Sequence, residues 1–295
     1  MIKYCCPVCN KSDNSKIFLK ETYDFSKIED LDFAARPMPN HAHFAYKRCN
    51  ECGALFVESA LTPDELDIIY KNSSFDEKEE GCQASETYAY YTKKKITNHK
   101  GKAMDIGASE GSFLLELLKL GYEDVSGVEP TKAAIEKADP LIKDKLINSM
   151  FNADDFPKNE YDLISFFQVI EHVSNPTEVL SGIHELLRED GRIIIVCHNY
   201  RSLINRIMRG KSPIYNLEHL QIFSKKPIIK LLEKCGYSDI HTFRVTNKYA
   251  LSYWVRLLPM PMRLKKITLS VLKKIRMDKI KIGIPGSNMG AVAKK

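Results

Sequence analysis

The segment Asp105-Ile106-Gly107-Ala108-Ser109-Glu110-Gly111 holds residues whose types and spacing suit ligand chemistry. Residues 103–106 read as a short buried strand. Gly107 is the tight turn, at a point where a Cβ would clash. Gly111 starts a helix that can sit close to a ligand. Eighteen residues further on, Val125-Ser126-Gly127-Val128-Glu129 reads as a second strand ending in a carboxylate. A glycine turn after one strand, with an acid at the tip of the next, is the layout of an α/β nucleoside site. The acid accepts hydrogen bonds from the two ribose hydroxyls. A pyrophosphate turn would run G-x-G-x-x-G at a helix N-terminus. Here the order is Asp105-x-Gly107-x-Ser109-x-Gly111, and an acid ahead of the turn suits a cationic ligand without phosphate.

A second constellation lies near the N-terminus. Cys6-Pro7-Val8-Cys9 and Cys49-Asn50-Glu51-Cys52-Gly53 are two C-x-x-C pairs forty residues apart. Each tight turn brings two thiolates to one point, and Gly53 permits the turn after the second pair. Together Cys6, Cys9, Cys49 and Cys52 make a tetrahedral Cys₄ set, which prefers Zn²⁺. Four thiolates leave no open position, so such an ion is structural. Cys5 has the wrong spacing for this role, and His41 and His43 are rival ligands between the pairs. The plainer alternative is two unrelated reduced pairs. Five of the eight cysteines fall in the first 60 residues, and reduced cysteines argue for metal over disulfides.

Three histidines follow expected strand ends: His172 in Gln168-Val169-Ile170-Glu171-His172, His198 after residues 191–197, and His219 in Glu218-His219. Each is a candidate general base with an ordinary pKa near neutrality. For His172 the competing reading is a loop-orienting hydrogen-bond partner. Their spacing matches no metal-ligand pattern.

The elements that must position these residues alternate from about residue 100 onward. Strands are expected near 102–106, 124–129, 145–148, 161–167, 191–197, 238–245 and 289–293, with helices near 111–120, 131–138, 176–188 and 225–234. This predicts an α/β fold with a parallel sheet and helices on both faces. Residues 246–285 fit the alternation poorly and read as an apolar, basic insertion. Residues 1–60 form a separate small module, and 61–99 a helical linker or lid. Thr62, Pro63 and Glu65 cap a helix there. Residues 72–81 are polar and acidic and are expected to be mobile. Tyr88, Tyr90 and Tyr91 either pack on the large domain or belong to a lid.

The 295 residues carry a net charge of +6, much of it near the C-terminus. The run from Arg256 to Lys281 is either a solvated helix face or a peripheral contact with anionic lipid. No motif supports nucleic-acid binding. No secretory signal and no spanning apolar run are visible, so a cytoplasmic location is expected.

The Asp105–Gly111 segment resembles motif I of class I S-adenosylmethionine-dependent methyltransferases, D-x-G-x-G-x-G, with Ser109 in place of the middle glycine. Residues 166–176 resemble the V-L-E-H-V-x-x-P segment of one large branch of that family, and 218–224 its E-H-x-x-x-F-[ST] segment. Residues 46–66 resemble a zinc-binding module found ahead of some methyltransferases that act on sugars or other small metabolites. The resemblance implies a Rossmann-like seven-stranded sheet plus a small zinc-ribbon-like module. It implies that Asp105, Gly107, Ser109, Gly111 and Glu129 hold S-adenosylmethionine. Asp154, with Asp155 close behind, would cap the adenine amine, and the Gln168 amide would touch the cofactor. Methyl transfer needs an aligned acceptor. Deprotonating that acceptor needs a base, for which His172, His198 and His219 remain open. The implied acceptor is a small molecule, a sugar or nucleotide-sugar of surface polysaccharide assembly. The alternatives are a lipid or quinone-like acceptor, or a non-catalytic binding protein on the same fold. Loss of Cys49 is expected to unfold the first module and leave residues 100–245 folded.

Overall fold

The computed structural model describes residues 1–22, 41–72 and 78–295. The chain opens with β1 (Ile2–Lys3), β2 (Ser15–Leu19), β3 (Tyr46–Cys49), β4 (Leu55–Val57) and β5 (Ser59–Ala60). Helices α1 (Pro63–Asn72) and α2 (Lys78–Lys95) follow. β2, β3 and β4 pair antiparallel. The expected cap of α1 forms: Glu65 N donates to Thr62 Oγ1 at 3.3 Å, and Thr62 N donates to Glu65 Oε2 at 2.7 Å. The loop expected between the cysteine pairs falls largely on 23–40, outside the described residues. So do 73–77 of the stretch expected to be mobile; from Lys78 that stretch is helical.

The alternating part comprises β6 (Lys102–Ile106), α3 (Ser112–Leu120), β7 (Asp124–Val128), α4 (Lys132–Glu136), β8 (Leu146–Ile147), β9 (Tyr161–Phe167), α5 (Pro176–Leu186) and β10 (Leu187–His198). It continues with α6 (Leu203–Met208), β11 (Gln221–Ile222), α7 (Lys225–Lys234), β12 (Ser238–Ala250), α8 (Leu251–Leu257), α9 (Met262–Lys274) and β13 (Lys281–Lys294). Seven of these strands form one sheet in the order β12-β13-β10-β9-β6-β7-β8. β13 runs antiparallel to both neighbours; the other pairings are parallel.

Apolar residues on both strand faces explain the two covering layers. On β10, Ile193, Ile195 and Cys197 pack with Leu180 and Ile183 of α5 and Leu231 of α7. Ile194 and Val196 face the other way, with Phe113 and Leu114 of α3 and Tyr88 of α2. Order reverses between β6 and β9, one side growing through β7 and the other through β10. That reversal opens a crevice at the carboxyl strand ends, where α/β sheets bind ligands.

Two regions depart from the pattern read in sequence. The small sheet is joined to the large domain: β11 adds to the edge of β4. Cys6, Cys49, Cys52 and Phe56 share one buried cluster with Leu180, Phe223 and Ile228. Thr177 Oγ1 donates to the Pro7 carbonyl at 2.9 Å, and Lys234 Nζ to that of Val8 at 3.0 Å. Residues 246–285 are also less foreign than expected. β12 and β13 stay paired out to Ala250 and Lys281, so the insertion is the sheet's edge hairpin prolonged, with α8 and α9 at its tip.

Candidate active site

The crevice begins at Asp105. It is buried under the turn, and Ser165 Oγ donates to its Oδ1 at 2.6 Å. Burial raises its carboxyl to about 7 against that hydrogen bond. Gly107 N and Ala108 N both donate to the Val128 carbonyl, at 2.8 and 3.0 Å, tying the turn to β7. Gly107 has φ +75°, and a Cβ there would lie 2.3 Å from Val169 Cγ2. Glycine is therefore required by both backbone and neighbour. Gly111 has φ +79°, but its Cβ direction meets Ile142 and Leu146. Its constraint is packing under the helix start rather than ligand approach.

Ser109 adopts φ +52°, the left-handed conformation its glycine counterpart would take without strain. Its backbone N–H donates to Glu129 Oε2 at 2.8 Å, and Thr131 N donates to Oε1 at 2.8 Å. Burial raises the Glu129 carboxyl while these amides hold it down. Each oxygen keeps a further lone pair for a hydroxyl donor.

Glu110 was not singled out by the sequence. It is 3% exposed and accepts from Ser109 Oγ at 2.8 Å and Ser112 Oγ at 2.5 Å. A Cβ at Gly81 would come within 2.6 Å of Glu110 Oε1, so α2 lies directly over this carboxylate. Along α2, Tyr88 packs on Phe167 at 4.4 Å between centroids, and Tyr91 stacks on Phe243 at 5.2 Å. Tyr90 is exposed. Asp154 and Asp155 sit exposed in a short 3₁₀ turn after β8, where Asn152 Oδ1 accepts from Asp154 N at 3.3 Å.

Gln168 links the crevice to a second space. It has φ +57°, its N–H donates to the Val196 carbonyl at 2.7 Å, and its Nε2 is buried without a protein partner. A buried amide left unpaired is costly and marks a place for a ligand acceptor. Gln168 and Tyr88 line a cavity of about 560 Å³. Its polar wall holds His172, His198, His219, Asn247 and Asn288. Its apolar wall comes from α6, through Ile204 and Met208, and from α8, through Tyr253, Trp254 and Leu257.

The three histidines, 47 residues apart at the extremes, do converge. The His172 and His219 rings are 4.7 Å apart, and those of His198 and His219 are 4.9 Å apart. Burial pushes His172 and His198 down to about 4 and His219 well below its ordinary value. All three are neutral imidazoles at pH 7. His219 Nδ1 donates to the Ile214 carbonyl at 2.8 Å, and His198 Nδ1 to Asn288 Oδ1 at 2.8 Å. In both, Nε2 is left as the lone-pair nitrogen. His172 Nδ1 lies 3.1 Å from the Tyr70 hydroxyl. Tyr70 and Asn288 carried no sequence signal, because each stands about a hundred residues from its histidine. Beneath them Glu171 is fully buried. Its Oε1 accepts from His198 N and its Oε2 has no protein partner. Burial raises its carboxyl to about 7.

Among the described residues, the side chains that gather as a metal-holding group are Cys6, Cys9, Cys49 and Cys52, with sulfurs within 4.8 Å of one another. Neither His41 nor His43 joins them: His43 Nδ1 contacts the Phe44 carbonyl at 2.8 Å, and His41 lines the cavity. Cys5 is exposed and apart. Cys9 N and Ala54 N point at Cys6 Sγ and Cys52 Sγ, at 3.5 and 3.4 Å. Amides aimed at sulfur favour thiolates, so the set fits a tetrahedral ion such as zinc.

Residues 75–242 match the family model described as a methyltransferase domain. A mitochondrial ubiquinone biosynthesis O-methyltransferase of Candida albicans is 31% identical over 85 residues, 26% of each chain, so the match spans about a quarter of that relative. The ubiquinone biosynthesis O-methyltransferase of Photobacterium profundum is 21% identical over 181 residues, covering 54% of this chain and 76% of the relative. Phosphoethanolamine N-methyltransferase 2 of Haemonchus contortus, solved in complex with S-adenosyl-L-methionine, superposes with a TM-score of 0.50 at 13% identity. That superposition covers 82% of this chain and 61% of the other, and shows a shared fold.

Proposed function

Since the chain belongs to the methyltransferase-domain family, we propose that it transfers a methyl group from S-adenosylmethionine to a hydroxyl of a small-molecule acceptor. The carrying observation is the cavity wall, where the unpaired Gln168 amide and three neutral imidazoles face one space beside the Gly107 turn. The crevice residues fit the cofactor: Glu129 offers hydroxyl acceptors, Asp105 adds an acid under the turn, and Gln168 Nε2 awaits an acceptor. Bound there, S-adenosylmethionine supplies an electrophilic methyl on a sulfonium whose charge is lost on transfer.

The chain's own residues do the rest. His198 and His219 each hold a lone pair at Nε2 for the acceptor's hydroxyl proton. The imidazole gains one positive charge as the sulfonium's is lost, so the net charge of the site stays constant. Mutual repulsion among three close rings lets one proton enter at a time. Asn288 and Ile214 fix the tautomers, and Tyr70 steadies His172. We assign the base to His198, at the tip of β10 beside Gln168. The four cysteines hold a structural zinc ion that takes no part in the chemistry.

The polar floor suits a hydroxylated ring, a sugar or nucleotide-sugar. The aromatic wall favours a second reading, a quinone-like or other planar acceptor lying on Tyr253 and Trp254, and the similarity to ubiquinone O-methyltransferases supports it. The test is calorimetric titration with S-adenosylmethionine, then a screen of both acceptor classes for S-adenosylhomocysteine release. Cofactor binding plus turnover that collapses in His198→Ala is expected. Absent cofactor binding would overturn the reading.

A further inference from the structure

The rim of the cavity carries a surface that methyl transfer does not use. On α9, Leu264, Ile267 and Val271, with Ile275 at the C-cap, recur at helical spacing on one face. Each is between 49% and 54% exposed. The adjoining face, with Lys265, is the one held against α8: Lys265 Nζ donates to the Arg256 carbonyl at 2.6 Å. On α6, Leu203 and Ile207 stand one turn apart and are 73% and 71% exposed, while Ile204 and Met208 of the same helix line the cavity. Both helices bring a cation toward His41. Lys265 of α9 and Lys211, just past α6, both bear electrostatically on His41, which lines the cavity.

Charge tells what this face meets. From Arg256 to Lys281 there are nine basic side chains and one acid, Asp278. Arg256 pairs with Glu80, Lys281 pairs with Glu86 and Lys265 is buried, while the other six are exposed. Arg206, Arg209 and Lys211 add to them beside α6. A large apolar row flanked by cations is expected at an anionic lipid interface, where apolar side chains enter the acyl boundary and cations pair with headgroups. A second copy of the chain is disfavoured, because facing copies would bring like charges together. Among the described residues no helix is long and apolar enough to cross a membrane.

We infer that the outward faces of α6 and α9 form one rim that seats the protein on an anionic bilayer surface, with the acceptor cavity opening beside it. This deepens the acceptor assignment above and rests on it in one respect: the cavity beside the bilayer then takes the hydroxylated end of an amphiphile.

The test is co-sedimentation of the full chain with phosphatidylcholine vesicles containing about one third phosphatidylglycerol, against pure phosphatidylcholine. The triple variant Leu264→Ser, Ile267→Ser, Val271→Ser alters exposed positions only. Binding to the anionic vesicles, weakened at least about tenfold in the variant and by raised salt, is expected. Equal binding to both vesicle types, no binding, or binding indifferent to the variant would overturn the inference. So would a dimer in sedimentation equilibrium that the variant abolishes without vesicle binding. Cofactor titration of the same samples reports separately on the methyltransferase reading and is unchanged by the variant.

Discussion

The Tyr70 hydroxyl lies 3.1 Å from His172 Nδ1, across 102 residues of chain. The carbonyl of the same tyrosine accepts from Thr131 Oγ1 at 3.0 Å, and Thr131 N donates to Glu129. The end of α1 therefore bridges the acid of the nucleoside crevice and the histidine wall of the cavity. Tyr70→Phe removes the hydroxyl's contact with His172 Nδ1, worth about 1 kcal/mol, together with a long 3.5 Å bond to the Glu218 carbonyl. A roughly fivefold fall in kcat with cofactor Kd unchanged is expected from steady-state kinetics and calorimetry. A shift confined to Kd would place Tyr70 in cofactor binding instead.

Glu129→Ala removes a charged acceptor of hydroxyl hydrogen bonds, a loss of about 1.5–3 kcal/mol. S-adenosylmethionine affinity should fall roughly ten- to hundredfold. Glu129→Gln, which keeps an oxygen for Ser109 N or Thr131 N, separates lost ligand contact from a loosened turn. Unchanged affinity in both variants would remove Glu129 from the site.

Purified protein should hold one zinc ion per chain by elemental analysis, and Cys49→Ser should lose it. Because Cys6, Cys49 and Cys52 are buried with Phe223 and Ile228, the loss should reach beyond the first 60 residues. One thermal transition at lower Tm is expected after chelation. Two resolved transitions would mean that the small sheet melts alone.

Glu171 has a folded pKa of about 7, above its unfolded value. Its contribution to stability is thus present in full below about pH 4.5 and lost as pH rises through 7. His172 and His198, depressed to about 4, act oppositely: stability rises with pH between 4 and 6.5 as the unfolded state gives up its extra protons. The trends offset each other near pH 5–6. In Glu171→Gln the falling limb disappears, so the variant should gain on the parent protein as pH rises from about 4.5 to 7, with the difference constant above that. Parallel denaturant profiles from pH 5 to 8 would refute this.

A neutral histidine base with a pKa near 4 gives a rate profile different from that of an exposed one. The acid limb of kcat/KM should fall well below pH 6, where a histidine of ordinary pKa would already be protonated. A limb near pH 6.5 would assign the base elsewhere.

What was legible in sequence followed from local rules. The expected strands 102–106 and 161–167 coincide with β6 and β9 residue for residue, 124–129 exceeds β7 by one residue, and 191–197 lies within β10, because strands buried on both faces are written as continuous apolar runs. The Asp105–Gly111 turn, the acid at Glu129 and both C-x-x-C pairs are short-range patterns. The prolonged hairpin at 246–250 and 281–285 was not legible. It leaves the sheet, its 281–285 side is mostly exposed, and on the other side Asn247 and Tyr249 are buried at the cavity wall without forming a continuous apolar run.

By itself, then, the sequence determined the alternating fold, the Gly107 turn with Glu129 beside it and the cysteine set, since each depends on residues near one another in the chain. The tertiary structure alone decided that His172, His198 and His219 share one wall and that Asn288 and Tyr70 hold two of them. It also decided that β11 fastens the cysteine module to the large domain and that α6 and α8 line one cavity. These contacts join residues tens to hundreds of positions apart. Sheet order and layer packing set them, and no local pattern encodes where a crossover brings two strand tips.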